Sequence, residues 1–282
     1  MTTPILIIDP GHGGTDPGAM GNGLREKDLT LQISTYQSAR FHALGIPVVL
    51  TRTTDTSLTP SQRTKLVRDS GATYCISNHI NSGGGEGVEA IYSIFAKDTL
   101  PKLLAQAVAD CGQKIRKIYT KVGPGGKDYF FMHRDTGKVE TIILEYGFID
   151  HPVDAKKLRD NWKTYAEAVV KAFCGYIGVP YIPPAKPVEK VSIELNGSLL
   201  PVQGYLRDGV SWLPIRAVAE AVGATVEWNA TTRQVKVNGQ DLTESIENGT
   251  AYAPARELAA ILALDVEWEQ ATKTVKMKKR SA

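Results

Sequence analysis

The sequence predicts an α/β protein with a mostly parallel, twisted sheet covered by helices on both faces, followed by a small α+β domain. Before residue 179, short apolar runs alternate with helical patterns, and the runs lack the polar–apolar alternation of half-exposed strands. Residues 179–190 contain four prolines, which favour a semi-rigid linker over a helix or central strand. After this linker, residues 212–239 and 252–279 align without a gap at a period of 40, which indicates an internal repeat.

The elements of the first part follow one another in a regular order. Apolar runs predict strands at residues 5–8, 46–51, 73–77, 87–95 and 141–145. Helical periodicity predicts one helix from about residue 29 to Gly45, one from a cap at Thr59 or Ser61 to Gly71, one over residues 99–115, and two helical stretches through Phe173. In such a sheet, parallel strands end at one edge, which is where α/β proteins place their sites.

Length and composition are those of an ordinary globular protein, with 282 residues, 42% hydrophobic, 22% charged and a net charge of +3. This length suits one large or two modest domains. The charge is too small to predict a nucleic-acid partner. No apolar run is long enough to predict membrane insertion, and no signal peptide is recognisable, so synthesis in the cytoplasm is expected. Three scattered cysteines predict neither a disulfide framework nor a thiolate metal site.

A glycine-rich segment, IIDPGHGGTDPGAMGNGLREKD at residues 7–28, follows the first strand and raises the question of a phosphate site. A dinucleotide fingerprint needs a third glycine where the chain has Asp16, whose carboxylate would repel a pyrophosphate. A P-loop needs a lysine where the chain has Ala19. These residues argue against both phosphate motifs. The segment carries instead one histidine, His12, and one glutamate, Glu26.

Two histidines and two glutamates lie where strands or the glycine-rich segment end. His12 follows the first strand, His79 follows the third, Glu145 ends the fifth, and Glu26 begins the first helix. Two imidazoles and one carboxylate are a ligand set for catalytic zinc, and a further carboxylate off the metal can move protons. His12, Glu26 and His79 fit the first role and Glu145 the second. On this pattern alone, a hydrogen-bonded structural histidine is an equally good interpretation.

Three motifs in this order resemble a known family: IIDPGHGGTDPGA followed by REKDLTL, then ISNHIN, then TIILEYGFIDHPVDAKKL. They resemble the zinc-dependent N-acetylmuramoyl-L-alanine amidases of the amidase-3 type, over about residues 4–176. The resemblance implies that His12, Glu26 and His79 bind one Zn²⁺ and that Glu145 is the catalytic carboxylate. It also implies hydrolysis of the amide between the lactyl group of N-acetylmuramic acid and L-alanine in peptidoglycan.

The other candidate residues are less specific. Asp9 is expected to have a structural role and Asp16 to be a turn residue. Asn81 is either a substrate contact or a loop cap, and Arg134 either pairs with a stem-peptide carboxylate or is an exposed loop arginine. The family often has Ser-Asn-x where this chain has DHP at residues 150–152, so substrate contacts at that turn are left open.

The repeat contains no histidine or cysteine, and each copy predicts a strand, a proline-capped short helix and a hairpin. A Glu-Trp pair occupies the same place in each copy, at residues 227–228 and 267–268. The pattern alone leaves a structural spacer and a surface-binding module equally open. The repeats resemble the copper amine oxidase N-terminal-like modules of bacterial wall proteins. That resemblance suggests wall anchoring, and no metal is expected there because no copper ligands are visible.

Together these observations predict a zinc amidase domain at residues 1–178, a linker at 179–190 and a wall-binding domain at 191–282. Peptidoglycan is the expected partner, with secondary wall polymers as further ligands of the repeats. The layout resembles a phage endolysin, made in the host cytoplasm and acting on the wall after release. Two alternatives are a zinc peptidase that cuts stem peptides and a non-catalytic wall-binding protein.

Overall fold

The computed structural model describes residues 3–184, 188–232, 234–247 and 249–280. The chain forms two compact units, Met1–Pro184 and Ala185–Ala282. The expected linker lies partly outside the described residues, at 185–187. Its earlier residues are held on the first unit, since Arg40 Nη2 donates to the carbonyl of Ile182 at 2.7 Å and the Tyr181 hydroxyl donates to Glu167 at 2.8 Å.

The first unit contains a six-stranded sheet and a two-residue ribbon. Its strands are β1 (Leu6–Pro10), β2 (Met20–Gly21), β3 (Leu24–Arg25), β4 (Val48–Leu50), β5 (Tyr74–Asn81), β6 (Val88–Tyr92), β7 (Ile115–Tyr119) and β8 (Glu140–Phe148). The sheet order is β4-β1-β5-β8-β6-β7, and β2 pairs with β3 alone. All neighbours in the large sheet are parallel except β6 and β8, which are antiparallel. The expected mostly parallel sheet is therefore confirmed.

Helices cover both faces of this sheet, as expected. They are α1 (Glu26–Ala43), α2 (Pro60–Asp69), α3 (Thr99–Asp110), α4 (Phe131–Arg134) and α5 (Pro152–Tyr176). On one face, α1, α3 and α5 bury the larger apolar core, which includes Ile33, Leu104 and Phe173. On the other face, a smaller cluster joins Val67 of α2 and Met132 of α4 to the sheet. Because both faces are buried, the strands can be continuously apolar.

Several boundaries differ from expectation. The helix predicted over residues 99–115 ends at Asp110, and the edge strand β7, which was not predicted, begins at Ile115. The two helical stretches expected before Phe173 form the single helix α5. Strands β5 and β8 continue past His79 and Glu145, so these two residues lie within strands rather than at their ends. Polar side chains concealed these extensions, because an apolar run appears to stop where a strand carries a functional residue.

The second unit is largely antiparallel β-sheet with two short helices. Its strands are β9 (Glu189–Leu195), β10 (Ser198–Arg207), β11 (Val210–Pro214), β12 (Val226–Asn229), β13 (Gln234–Val237), β14 (Gln240–Asp241), β15 (Ser245–Glu247), β16 (Thr250–Pro254), β17 (Leu264–Glu269) and β18 (Thr274–Lys279), and its helices are α6 (Ile215–Glu220) and α7 (Ala255–Ile261). One sheet has the order β15-β16-β11-β10-β9-β18-β17, and another has β12-β13-β14. Each repeat is a strand, a short helix after a proline and a hairpin, as predicted.

The core of the second unit is aliphatic. It is formed by residues such as Ile193, Leu213, Val237 and Leu258, all fully buried. In the part of the chain that the structure describes, no helix of either unit combines the length and apolarity needed to cross a membrane.

Candidate active site

The loop after β1 and the start of α1 bring His12 and Glu26 to His79 of β5. Glu26 Oε2 lies 3.1 Å from His12 Nε2, and Glu26 Oε1 lies 2.9 Å from His79 Nδ1. The two imidazole rings are 5.1 Å apart between centroids, in an edge-on arrangement. One nitrogen or oxygen atom from each of the three residues lies within 4.8 Å of the others, which makes the cluster a possible metal site.

Two glycines leave the space that this cluster occupies. A Cβ on Gly11 would lie 2.4 Å from Cε1 of His79, and one on Gly18 would lie 2.6 Å from Glu26 Oε2 and 2.7 Å from His12 Cδ2. Gly18 also has a φ of +65°, a conformation that L side chains rarely adopt. The glycines of the loop thus let the backbone approach the three side chains closely.

Buried charged residues fix the loop that carries His12. Arg63 donates to Asp9 Oδ1 and to the Pro10 carbonyl, each at 2.7 Å, and to the His12 carbonyl at 2.9 Å. Arg52 donates to the Gly11 carbonyl at 2.8 Å. The sequence predicts a structural role for Asp9. It contains no local pattern that would predict the contacts of Arg52 and Arg63 with this loop, because both arginines are distant in the chain.

Asp16 does more than form a turn. Its Oδ2 lies 2.8 Å from His12 Nδ1, and its Oδ1 accepts a hydrogen bond from the Gly18 amide at 3.1 Å. This contact orients the imidazole so that Nε2 is directed at Glu26. A carboxylate on the outer nitrogen of a histidine is a common feature of metal sites, because it sets the tautomer and the ring orientation. In the sequence, the feature that could have indicated this contact is the spacing of four residues between His12 and Asp16.

The three clustered residues perturb one another electrostatically. Burial lowers the pKa of His79, but its hydrogen bond to Glu26 and the charge of Glu26 outweigh burial and raise the pKa to about 9. Burial raises the pKa of Glu26, but hydrogen bonds from His12 and His79 outweigh it and hold the pKa well below its usual range. Glu26 also accepts hydrogen bonds from the amides of Ala19 and Ile80, at 2.7 and 2.9 Å. The carboxylate is therefore held ionised beside two imidazoles.

Glu145 lies in β8 directly beside His79 of β5 in the parallel register. Its Oε2 atom is shielded from solvent and has no hydrogen-bond partner among the described residues. Burial raises the pKa of Glu145 to about 7. A buried carboxyl oxygen without a partner is unusual, because it costs free energy, and it indicates a group available for chemistry.

On its other side Glu145 pairs in register with Glu89 of β6, which sequence reasoning missed. Glu89 is buried, forms an ion pair with Arg116 and accepts a hydrogen bond from Asn81 Nδ2 at 2.9 Å. Asn81 is therefore hydrogen-bonded inside the protein, and its role as a substrate contact stays a prediction. Glu89 ends no apolar run, so the pattern that revealed Glu145 could not reveal it.

Arg134 lies at the end of α4 and donates to the backbone carbonyls of Asp128 and Tyr129, at 3.1 and 3.0 Å. Its role in substrate binding stays a prediction. At the turn that departs from the family pattern, Asp150 accepts hydrogen bonds from the amides of Gly83 and Gly84, at 2.9 and 2.8 Å. This aspartate therefore holds the loop after β5 against the turn after β8.

A family model described as N-acetylmuramoyl-L-alanine amidase matches residues 6–174. The chain belongs to this family. A second model, described as the copper amine oxidase N-terminal domain, matches residues 194–245. The sporulation-specific amidase of Bacillus subtilis is 37% identical over 169 residues, covering 55% of this chain and 60% of that protein. The amidase CwlM of Bacillus licheniformis is 34% identical, covering 55% and 61%. This chain thus matches about 60% of the length of these curated relatives.

Two solved structures support the same fold. Cwp6 from Clostridium difficile superimposes with a TM-score of 0.58 and 29% identity, covering 64% of this chain and 30% of that one. The catalytic domain of the amidase CwlV from Bacillus (Paenibacillus) polymyxa superimposes with a TM-score of 0.55 and 26% identity, covering 63% and 99%. The expected fold and family are confirmed by these likenesses.

The residues present fit a zinc ion. Two imidazole nitrogens and one carboxylate oxygen are the donor set of many catalytic zinc sites. The carboxylate of Asp16 contacts the outer nitrogen of His12, as in many metal sites. Gly11 and Gly18 have no Cβ that would enter the space around the three clustered side chains. The unpartnered Oε2 of Glu145 supplies the further carboxylate that such sites need off the metal.

Proposed function

We propose that the protein hydrolyses the amide between the lactyl group of N-acetylmuramic acid and L-alanine in peptidoglycan. The observation that carries the proposal is the His12–Glu26–His79 cluster beside the unpartnered carboxyl of Glu145. Membership of the amidase family and the amidase names of its relatives support it. Because the cluster lies in the family-matched unit, the chemistry is assigned to residues 1–178, as the sequence predicts.

In this proposal His12, Glu26 and His79 would hold one Zn²⁺. The ion would supply Lewis acidity, which polarises a carbonyl and lowers the pKa of water. The protein contributes the ligands and their orientation: Asp16 holds the ring of His12, and the Ala19 and Ile80 amides hold the carboxylate of Glu26.

Glu145 is assigned the proton transfers. Its carboxylate accepts a proton from the water that attacks the lactyl carbonyl carbon and then gives that proton to the amide nitrogen. The C–N bond breaks, L-alanine leaves with a free amino group, and the lactyl group keeps a carboxylate. A carboxyl group whose buried oxygen has no competing hydrogen bond suits both steps.

The second unit, residues 191–282, is proposed to bind the wall after the linker at 179–190. Its match to a module found N-terminal in other proteins, and the absence of histidine and cysteine from its sequence, favour binding over chemistry. Action at the bacterial wall follows from the proposed substrate. The endolysin-type role, with release from a host cytoplasm, stays a prediction.

The test is digestion of purified sacculi by the zinc-loaded protein. We expect new L-alanine amino termini, no new reducing sugar ends, and intact stem peptides in the soluble fraction by mass spectrometry. Shortened stem peptides would identify a peptidase instead. Full zinc occupancy without any released fragment would identify a non-catalytic wall-binding protein. Either result would overturn the amidase proposal.

A further inference from the structure

Among the surface clefts of the second unit, two, of about 670 and 440 Å³, occupy corresponding places in the two repeats. The first cleft is lined by residues that include Pro214, Arg216, Val226, Trp228, Ile246 and Thr250. The second cleft is lined by residues that include Pro254, Arg256, Val266, Trp268, Leu206 and Val210. Both volumes lie in the range of roughly 300–1,000 Å³ that is typical of small-molecule sites.

The two clefts are equivalent by the internal repeat. Ten lining positions of one cleft lie 40 residues from lining positions of the other. Each cleft combines the helix start and hairpin of one repeat with the strand residues that lead into the other repeat, and these leading residues also correspond at a period of 40. Thus Trp228 of the first repeat shares its cleft with Ile246, whereas Trp268 of the second repeat shares its cleft with Leu206. The duplication therefore made two composite clefts, each built from both repeats.

The pairing of β11 with β16 explains why each cleft contains residues from both halves of the second unit. The two strands are antiparallel, and Leu213 pairs with Ala253, its own counterpart in the other repeat. Trp212 pairs with Pro254, and Pro214 pairs with Tyr252. These two pairs are equivalent to each other, because Trp212 corresponds to Tyr252 and Pro214 corresponds to Pro254 at the period of 40. A local two-fold pseudo-symmetry axis therefore passes between Leu213 and Ala253, and it relates one cleft to the other.

Each cleft offers the same three kinds of contact. Valine and proline side chains form an apolar surface beside a tryptophan, of which Trp228 is 46% exposed. An arginine lies in each lining, and the side chain of Arg216 is 66% exposed. One glutamate also lies in each lining, Glu220 in the first and Glu267 in the second. An indole packs against the apolar face of a sugar ring, an arginine binds a carboxylate, and a glutamate accepts hydrogen bonds from hydroxyls.

We propose that the two clefts bind the glycan strand of peptidoglycan after its stem peptides have been removed. This inference rests on the proposed function, because such a strand is the polymeric product of the amidase reaction. Each of its disaccharides then presents a pyranose ring and a free lactyl carboxylate on the same sugar. Because the acidic sugar repeats along the polymer, it offers the same ligand to both clefts, and occupancy of both clefts by one strand would raise the affinity without any new contact.

The lining chemistry favours this ligand over a phosphate-linked wall polymer. A glycerol or ribitol phosphate chain has no sugar-ring face in its backbone to cover the tryptophan. In the first cleft, Arg216 lies 3.5 Å from Glu220, whereas the equivalent position in the second repeat is Ala260. The arginine of the second cleft, Arg256, is therefore expected to contribute more to carboxylate binding.

The test measures binding of the full-length, zinc-loaded Glu145→Gln variant, which leaves stem peptides in place, to labelled glycan strands that an independent amidase has stripped of peptides. We expect Trp228→Ala and Trp268→Ala each to weaken binding about tenfold or more, because each removes one of two linked sites. The double variant is expected to lose the binding that depends on the second unit. Arg256→Gln should weaken binding more than Arg216→Gln, and these exposed substitutions keep the test readable if a tryptophan variant fails to fold.

The matched control is Arg280→Gln, which removes another exposed arginine of the second unit. Arg280 lies outside both linings, and its nearest carboxylate is that of Asp265, at 3.4 Å. It should bind the strands as the unmodified chain does. Undiminished binding by the folded double variant would exclude the clefts. Equal binding to strands that still carry their peptides, or tighter binding to a phosphate-linked polymer, would exclude the proposed ligand. The assay requires no hydrolysis, so it is read separately from the sacculus digestion.

Discussion

The two units of the chain differ in whether they bury charged side chains. The first unit buries Asp9, Arg63, Arg52 and Glu26, and gives each of them several partners. Among the described residues of the second unit, no charged side chain is buried, and the buried polar groups include Thr274 and the hydroxyl of Tyr205. Buried charge costs free energy unless it is paired. The difference indicates that the first unit uses internal charge to hold a site in place, whereas the second presents its charged groups at the surface.

The largest effect is expected from the carboxyl that the first unit leaves without a partner. Glu145→Gln should lower the rate of sacculus hydrolysis by about 10²–10⁴-fold, the usual contribution of a general acid–base group. Its zinc content should be unchanged, because Glu145 is not one of the three clustered residues. The release of L-alanine amino termini measures the rate. Glu140→Gln, at the other end of the same strand, is the control and should keep full activity.

Breaking the buried ion pair of the first unit should have the next largest effect. Asp9→Asn leaves Arg63 buried without its carboxylate, and loss of one partner of such a pair costs about 3–5 kcal/mol. Denaturant unfolding of the full chain measures the change in the free energy of unfolding. Asp98→Asn removes the exposed partner of Lys102 in α3 and should leave that free energy almost unchanged. Equal losses in the two variants would contradict the role assigned to buried charge.

The glycine-rich segment at residues 7–28 offers a smaller and more specific change. Gly18→Ala and Gly23→Ala both place a Cβ at a positive φ, +65° and +77°, and this backbone conformation alone should cost each variant about 1 kcal/mol of stability. At Gly18 the Cβ would also meet Glu26 and His12, whereas at Gly23 nothing lies within 4 Å. Zinc affinity, measured by competition with a chelator, should therefore fall about 10–100-fold in Gly18→Ala alone. A similar fall in both variants would mean that backbone strain, not the Cβ, weakens the site.

The smallest expected effect is a difference between the two units in how much acid lowers their local stability. Burial raises the pKa of Asp9, but the charge of Arg63 and hydrogen bonds from Thr51 and Ser77 outweigh it and lower the pKa. The carboxylate therefore stabilises the fold fully above its unfolded pKa of about 3.9, and this stabilisation is lost as pH falls through the lower folded value. The protection factors of the β1 amides, which correct for the slower intrinsic exchange in acid, should fall below about pH 4, while those of β11 and β16 amides change less. Asp9→Asn should remove much of this difference.

The sequence predicted the sheet, its mostly parallel order and the repeat, because apolar runs and a period of 40 residues are local signals. It also selected His12, Glu26, His79 and Glu145, which the structure brings to adjacent positions. It could not reveal the contact of Arg63 with Asp9, which joins residues far apart in the chain. Nor could it reveal the edge strand β7, whose exposed lysine and arginine resemble the end of a helix.

The central claim is that the His12–Glu26–His79 cluster is the metal centre on which amide hydrolysis depends. The most direct measurement is a zinc titration of the metal-depleted chain, in which bound zinc and hydrolysis of sacculi are followed in the same samples. We predict that activity rises linearly and stops rising at one zinc per chain, and that His12→Ala and His79→Ala bind zinc weakly and recover little activity. Full hydrolysis by the metal-depleted chain, or unchanged zinc binding in both variants, would contradict the claim.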